Sequence, residues 1–155
     1  RQMCIRDSVY FLHSYLRTRL SGGELSLKVS DTGINYYNVF IDSLLHKIVK
    51  VTGKDTLINF ISGIDKGVHR VLIQKRAEGE WGKTTIHQFV LSAGGKLEKE
   101  TDRPSRHIEF IGNSLTCGYG VEGKDRSEPY KAETETAICL MPRLLPATLM
   151  RTTHL

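Results

Sequence analysis

The chain has 155 residues, 39% of them hydrophobic and 25% charged, with a formal net charge of +5. That length and balance suit a soluble globular protein, one domain with a real core or one domain plus a piece of another. No apolar run is long enough to cross a bilayer, and Lys and Arg are scattered among acids with no basic stripe between aromatics, so membrane and nucleic acid are set aside as partners.

Residues 1–8, Arg-Gln-Met-Cys-Ile-Arg-Asp-Ser, share no pattern with the rest of the chain. They resemble the translated sequencing-adapter peptide found at the ends of some open reading frames. They are expected to be a scar outside the fold. No charged-then-apolar leader is visible, and the chain shows no cellular address of its own.

Residues 9–97 read as a series of short strands. Residues 14–20 alternate Leu16, Thr18 and Leu20 against Tyr15, Arg17 and Arg19. Residues 24–30 alternate Leu25, Leu27 and Val29 against polar neighbours, and Gly22-Gly23 between the two runs signals a hairpin. Strands come next at residues 36–42, 44–51, 56–61, 68–75 and 85–91. Turn residues separate most of them, among them Thr52-Gly53-Lys54-Asp55 and the polar loop Glu78-Gly79-Glu80-Trp81-Gly82-Lys83. Strands at about ten-residue spacing with turn chemistry between them predict an all-β sandwich. Leu25, Leu27, Val29, Val39, Ile41, Val71, Ile73, Ile86 and Val90 are its expected interior. Residues 98–105, behind Gly94-Gly95 and containing Pro104, are the expected linker to a second unit.

Residues 106–120 hold the stretch that can do chemistry. Ile108, Phe110 and Ile111 form a buried-strand pattern that Gly112 ends, and Ser114 stands at the strand's mouth before a turn loosened by Gly118 and Gly120. A nucleophilic hydroxyl needs a fixed position, small neighbours and backbone N–H groups facing a developing oxyanion. Ser114 is the candidate nucleophile, and Gly112, Asn113 and Leu115 are the candidate oxyanion- and turn-supporting residues. The plainer reading is a core strand ending in a Gly/Asn/Ser turn.

The length of the pattern favours the first reading. Residues 108–123, Ile-Glu-Phe-Ile-Gly-Asn-Ser-Leu-Thr-Cys-Gly-Tyr-Gly-Val-Glu-Gly, continuing to Lys131-Ala132-Glu133-Thr134-Glu135, resemble block one of the SGNH (GDSL-type) hydrolases. Within that superfamily they look most like the family-two carbohydrate esterases, which deacetylate xylan and related sugars. Asn35-Tyr36-Tyr37-Asn38-Val39-Phe40-Ile41-Asp42, Gly67-Val68-His69, Gln74-Lys75-Arg76 and Thr84-Thr85-Ile86-His87-Gln88-Phe89 resemble the amino-terminal domain of the same family. The resemblance implies an antiparallel jelly-roll β-sandwich and, after it, the truncated start of an α/β SGNH hydrolase domain at residues 106–135. It places Ser114 on the family's nucleophile and Gly112 on the block-one glycine, while Asn113 stands where an aspartate is usual. It also implies an acetylated carbohydrate as substrate, no cofactor, a catalytic histidine beyond Leu155, and a family often secreted by bacteria.

After Glu135 the apolar period is lost. The family's helix would read Glu-Asn-Cys-Asn here, and deleting one base from AAC-TGC-AAT gives ACT-GCA-AT, which reads Thr136-Ala137-Ile138. Residues 136–155 are therefore expected to be frameshifted, and the chain to be an inactive fragment of an esterase. A non-catalytic carbohydrate-binding sandwich is the other class considered.

Other side chains have less to offer. Trp81, the single tryptophan, can stack on a sugar ring or cap the sandwich, and the cap is favoured. His69, His87 and His107 are not expected to serve Ser114. Cys117 is expected to fill space under the turn. Cys4, Cys117 and Cys139 lack paired spacing, and the six histidines lie far apart, so no metal site is expected.

Overall fold

Alternating side chains bury one face of a strand and wet the other, so this series of strands closes face to face as two sheets. The computed structural model describes residues 3–9, 14–99 and 113–136. Its strands are β1 (Met3–Val9), β2 (Tyr15–Ser21), β3 (Leu25–Asp31), β4 (Ile34–Ile41), β5 (Leu44–Thr52), β6 (Thr56–Ile61), β7 (Val68–Lys75), β8 (Thr84–Leu91) and β9 (Lys96–Lys99). One sheet has the order β1-β8-β3-β6 and the other β5-β4-β7-β2-β9, with every pairing antiparallel. Leu25, Leu27, Val29, Phe60, Ile61, Ile86 and Phe89 of the first sheet meet Leu20, Tyr37, Val39, Val49, Val51, Val71 and Ile73 of the second. This is the antiparallel sandwich expected from the strand pattern.

Five details depart from the sequence reading. Gly22-Gly23 is not a hairpin, because β2 and β3 lie in different sheets. Both glycines have positive φ, +106° and +86°, and a tight glycine turn serves a crossing between layers as well as a hairpin. The two-residue hairpin is instead Asp42-Ser43, both at positive φ, joining β4 to β5 with Ile41 opposite Leu44.

Val90 is only half-buried, and Phe89 takes its place in the core. The register between β3 and β8 shifts between Lys28 and Val29, whose partners are Gln88 and Ile86, leaving His87 as the extra residue of a bulge. One extra residue reverses the alternation beyond it. Ile41 is likewise half-buried, at the edge of the core cluster.

The linker begins later than expected, since residues 98 and 99 belong to β9, paired with β2. The expected exclusion of residues 1–8 from the fold also fails, because Met3–Val9 pairs with β8. A free sheet edge accepts an extended backbone through main-chain hydrogen bonds, which carry little side-chain information. Residues 106–112, the block-one strand with Gly112, lie outside the described residues, as do residues 137–155.

Candidate functional site

Residues 113–136 form a closed loop. Thr116 N and Cys117 N donate to Asn113 O at 2.9 and 3.2 Å, and Tyr119 N donates to Ser114 O at 3.1 Å. Thr136 N donates to Gly118 O and Glu122 N to Thr134 O, closing the far end. Asn113 Oδ1 accepts from Leu115 N at 3.1 Å, so the side chain ahead of the serine fixes the turn. An amide oxygen does this as an aspartate would. The same bond occupies the Leu115 N–H, and the Leu115 side chain is 77% exposed. Ser114 is exposed at the surface of this turn.

No described histidine is hydrogen-bonded to Ser114. His87 Nε2 lies 2.8 Å from Ser30 Oγ. His69 sits at the start of β7, roughly 20 Å along the strand from the end nearest the loop. It is bracketed by Asp42 (Nδ1 to Oδ2, 2.7 Å) and Asp65 (Nε2 to Oδ1, 3.1 Å). The hydrogen bond to Asp42 is the main cause that raises the imidazole pKa; the same bond lowers the Asp42 carboxyl, and the Asp65 carboxyl is lowered first by the Gly67 N–H and then by the imidazole. The imidazolium therefore stabilises the fold fully below the ordinary histidine value, and this is lost as pH rises through the raised one. The two carboxylates contribute above their ordinary values and lose it as pH falls. An NMR titration should find His69 titrating above about 6.5, and Asp42→Asn should move it back down; an unmoved midpoint in that variant would remove Asp42 as the cause.

Where the loop meets the sandwich, the strand end supplies two buried cations. Lys75 Nζ donates to Glu78 O at 2.9 Å and Gly82 O at 3.4 Å, organising the loop that carries Trp81. Gly33 lets that loop approach closely: a Cβ there would lie 2.1 Å from Trp81 O. Arg76 is 2% exposed. Its Nη1 donates to Asn38 Oδ1 at 2.8 Å, and its Nη2 to the Glu122 carboxylate and to Glu133 O at 3.2 Å.

Trp81 Nε1 donates to Tyr130 Oη at 3.2 Å, and Tyr130 Oη donates to Glu135 Oε2 at 2.5 Å. The Trp81 ring packs tilted against Tyr130, which is stacked on Tyr119. Trp81 thus packs at the junction of sandwich and loop, and one ring face is covered. Cys117 lies half-buried beside Glu78, and burial first, then that carboxylate, pushes its thiol up to about 12, so it is no nucleophile at neutral pH.

Glu135 is 0% exposed, and Oε1 has no hydrogen-bond partner. Burial raises its pKa, outweighing the hydrogen bonds from Tyr130 and from Glu78 N. A raised carboxyl favours the fold most at low pH, and that advantage is lost as pH rises from the ordinary carboxylate range through the raised value. Glu135→Gln, a neutral stand-in for the protonated acid, should therefore gain in melting temperature relative to the parent chain between pH 4 and pH 8. A constant gap across that range would show that Glu135 does not titrate there.

Sequence reasoning singled out Ser114, Asn113, Leu115 and Trp81, and the structure places the first three in one turn and Trp81 beneath the same loop. It did not find Arg76, Tyr130 or Glu135. The one available signal was Lys75-Arg76, two adjacent cations soon after the apolar run Val71-Leu72-Ile73. Among the described residues no three His, Cys, Asp or Glu side chains gather as metal ligands.

Comparison with known proteins gives this geometry its context. The chain is 28% identical over 116 residues to the cellulase/esterase CelE of Acetivibrio thermocellus, covering 75% of this chain and 14% of that protein. It is 26% identical over 136 residues to an acetylxylan esterase / glucomannan deacetylase of Cellvibrio japonicus, covering 85% and 38% respectively. It therefore spans well under half of these curated relatives. A family two carbohydrate esterase from Clostridium thermocellum, solved in complex with cellohexaose, shares the fold with a TM-score of 0.77 at 24% identity, over 88% of this chain and 45% of that one. The family described as Carbohydrate esterase 2 N-terminal matches residues 10–100. That match takes in more than half of the sequence, and the chain belongs to the carbohydrate esterase 2 N-terminal family.

Proposed function

We propose that this chain is the sandwich and opening turn of a serine-dependent esterase that removes acetyl groups from plant polysaccharide or oligosaccharide. One observation carries the reading: an exposed serine in a backbone-bonded turn is docked on the end of a sandwich whose relatives are carbohydrate esterases. Ser114 Oγ attacks the acetyl carbonyl carbon, a histidine supplied by later sequence takes its proton, and the Ser114 N–H, with Gly and Asn donors from later sequence, stabilises the oxyanion. Water then releases acetate and restores the serine. Residues 136–155 are read as out of frame, so the 155-residue chain lacks that base and is itself inactive. The packed Trp81 ring speaks against a free-standing sugar-binding module. Acetate release from acetylated xylan by the longer, frame-restored protein is the test, and no release would overturn the assignment.

A further inference from the structure

Residues 113–136 have almost no apolar interior of their own. Among them Ala132 is the single buried hydrophobic residue, while Leu115, Tyr119 and Val121 are exposed. A segment of this kind keeps its shape only if contacts outside it hold it; the Trp81–Tyr130 packing is one and polar contacts are the others, because burial within the segment contributes little. Arg76 supplies such a contact. A buried guanidinium is strongly disfavoured without acceptors, and the loop provides two of its three side-chain partners, the Glu122 carboxylate and the Glu133 carbonyl. The third, Asn38, belongs to β4, and the Arg76 main chain is fixed by its N–H donating to Tyr36 O at 2.9 Å. The guanidinium thus sits on a rigid sheet with its donors directed at a segment that has no core.

From Glu122 the path to the serine is short. The adjacent Gly118–Thr136 bond closes the loop, and Tyr119 N donates to Ser114 O. We propose that Arg76 is a positioning residue, a latch through which the β-sandwich fixes the Ser114 turn, so that the sandwich is a working part of the hydrolase site and not a detachable module. The latch is a property of this chain; that the turn it holds is catalytic rests on the proposed esterase function.

The latch can be tested in the 155-residue chain by amide hydrogen exchange of Cys117, Gly118 and Tyr119, the donors that define the turn. Glu122→Ala changes no residue of the sandwich, leaves Arg76 its Asn38 and Glu133 acceptors, and is expected to speed their exchange at least about tenfold, the scale of losing a charge-assisted hydrogen bond. Arg76→Ala should give an increase at least as large, with Glu122→Ala adding nothing on top of it, and Arg76→Lys should fall between. Two results overturn the proposal: parental exchange rates in Glu122→Ala, or effects of the two alanine variants that multiply when combined. If Arg76→Ala fails to fold, Glu122→Ala alone still decides. A failed latch and a failed esterase reading are distinguishable, since the first leaves exchange unchanged and the second leaves acetyl esters intact in the frame-restored protein.

Discussion

Ser114→Ala in the full-length, frame-restored protein is expected to lower acetyl-ester hydrolysis by about four orders of magnitude or more, the scale seen when a serine nucleophile is removed. The alanine lacks the oxygen that forms the acyl bond, and no described side chain stands ready to replace it. Cys117, three residues on, is a thiol pushed up to about 12 and is not ionised at neutral pH. The loss should appear in kcat with a small effect on KM, because the Ser114 side chain makes no contact that shapes the turn; the backbone of Asn113 and Ser114 does that. The 155-residue chain should show negligible hydrolysis of p-nitrophenyl acetate with either residue at 114. Hydrolysis by the 155-residue chain that depends on Ser114, or undiminished hydrolysis by the full-length alanine variant, would remove Ser114 from the role.

The second large effect belongs to the core. Leu27→Asp is expected to destabilise the fold by more than about 4 kcal/mol, combining a lost buried leucine with a buried charge. Leu27 is 1% exposed and stands between Ile58 of β6 and Phe89 of β8. It faces a cavity of about 250 Å³ shared with Val29, Tyr37, Phe60, Ile73 and Thr84. The Tyr37 and Thr84 hydroxyls in its wall are already committed. Tyr37 Oη donates to Thr84 Oγ1 at 2.7 Å, and Thr84 Oγ1 donates to the Asp31 carboxylate, which would also repel a second negative charge. Since small domains are stable by roughly 5–15 kcal/mol, the variant should lose a large part of its stability. Denaturant unfolding followed by tyrosine and tryptophan fluorescence measures it, and an unchanged midpoint would place Leu27 outside the core.

Alternation in sequence determined most of the architecture. A strand that is apolar on every second residue has one face to bury, whatever it lies against, so β2, β3 and β5 to β8 were legible with bounds within a residue or so, and most of the expected interior is buried. The Ser114 turn was legible for a similar reason, because its Asn, Ser and Gly residues dictate local hydrogen bonds. Tertiary structure decided what local pattern does not encode. Gly22-Gly23 permits a reversal, but only packing selects whether the next strand joins the same sheet or the opposite one. The bulge at His87, which exchanges Val90 for Phe89, depends on the register with β3. Arg76, Tyr130 and Glu135 look like ordinary surface residues in sequence. They become partners, Arg76 and Glu135 buried and Tyr130 half-buried, only when residues 113–136 close over the end of β7, bringing together groups 46 to 57 positions apart along the chain.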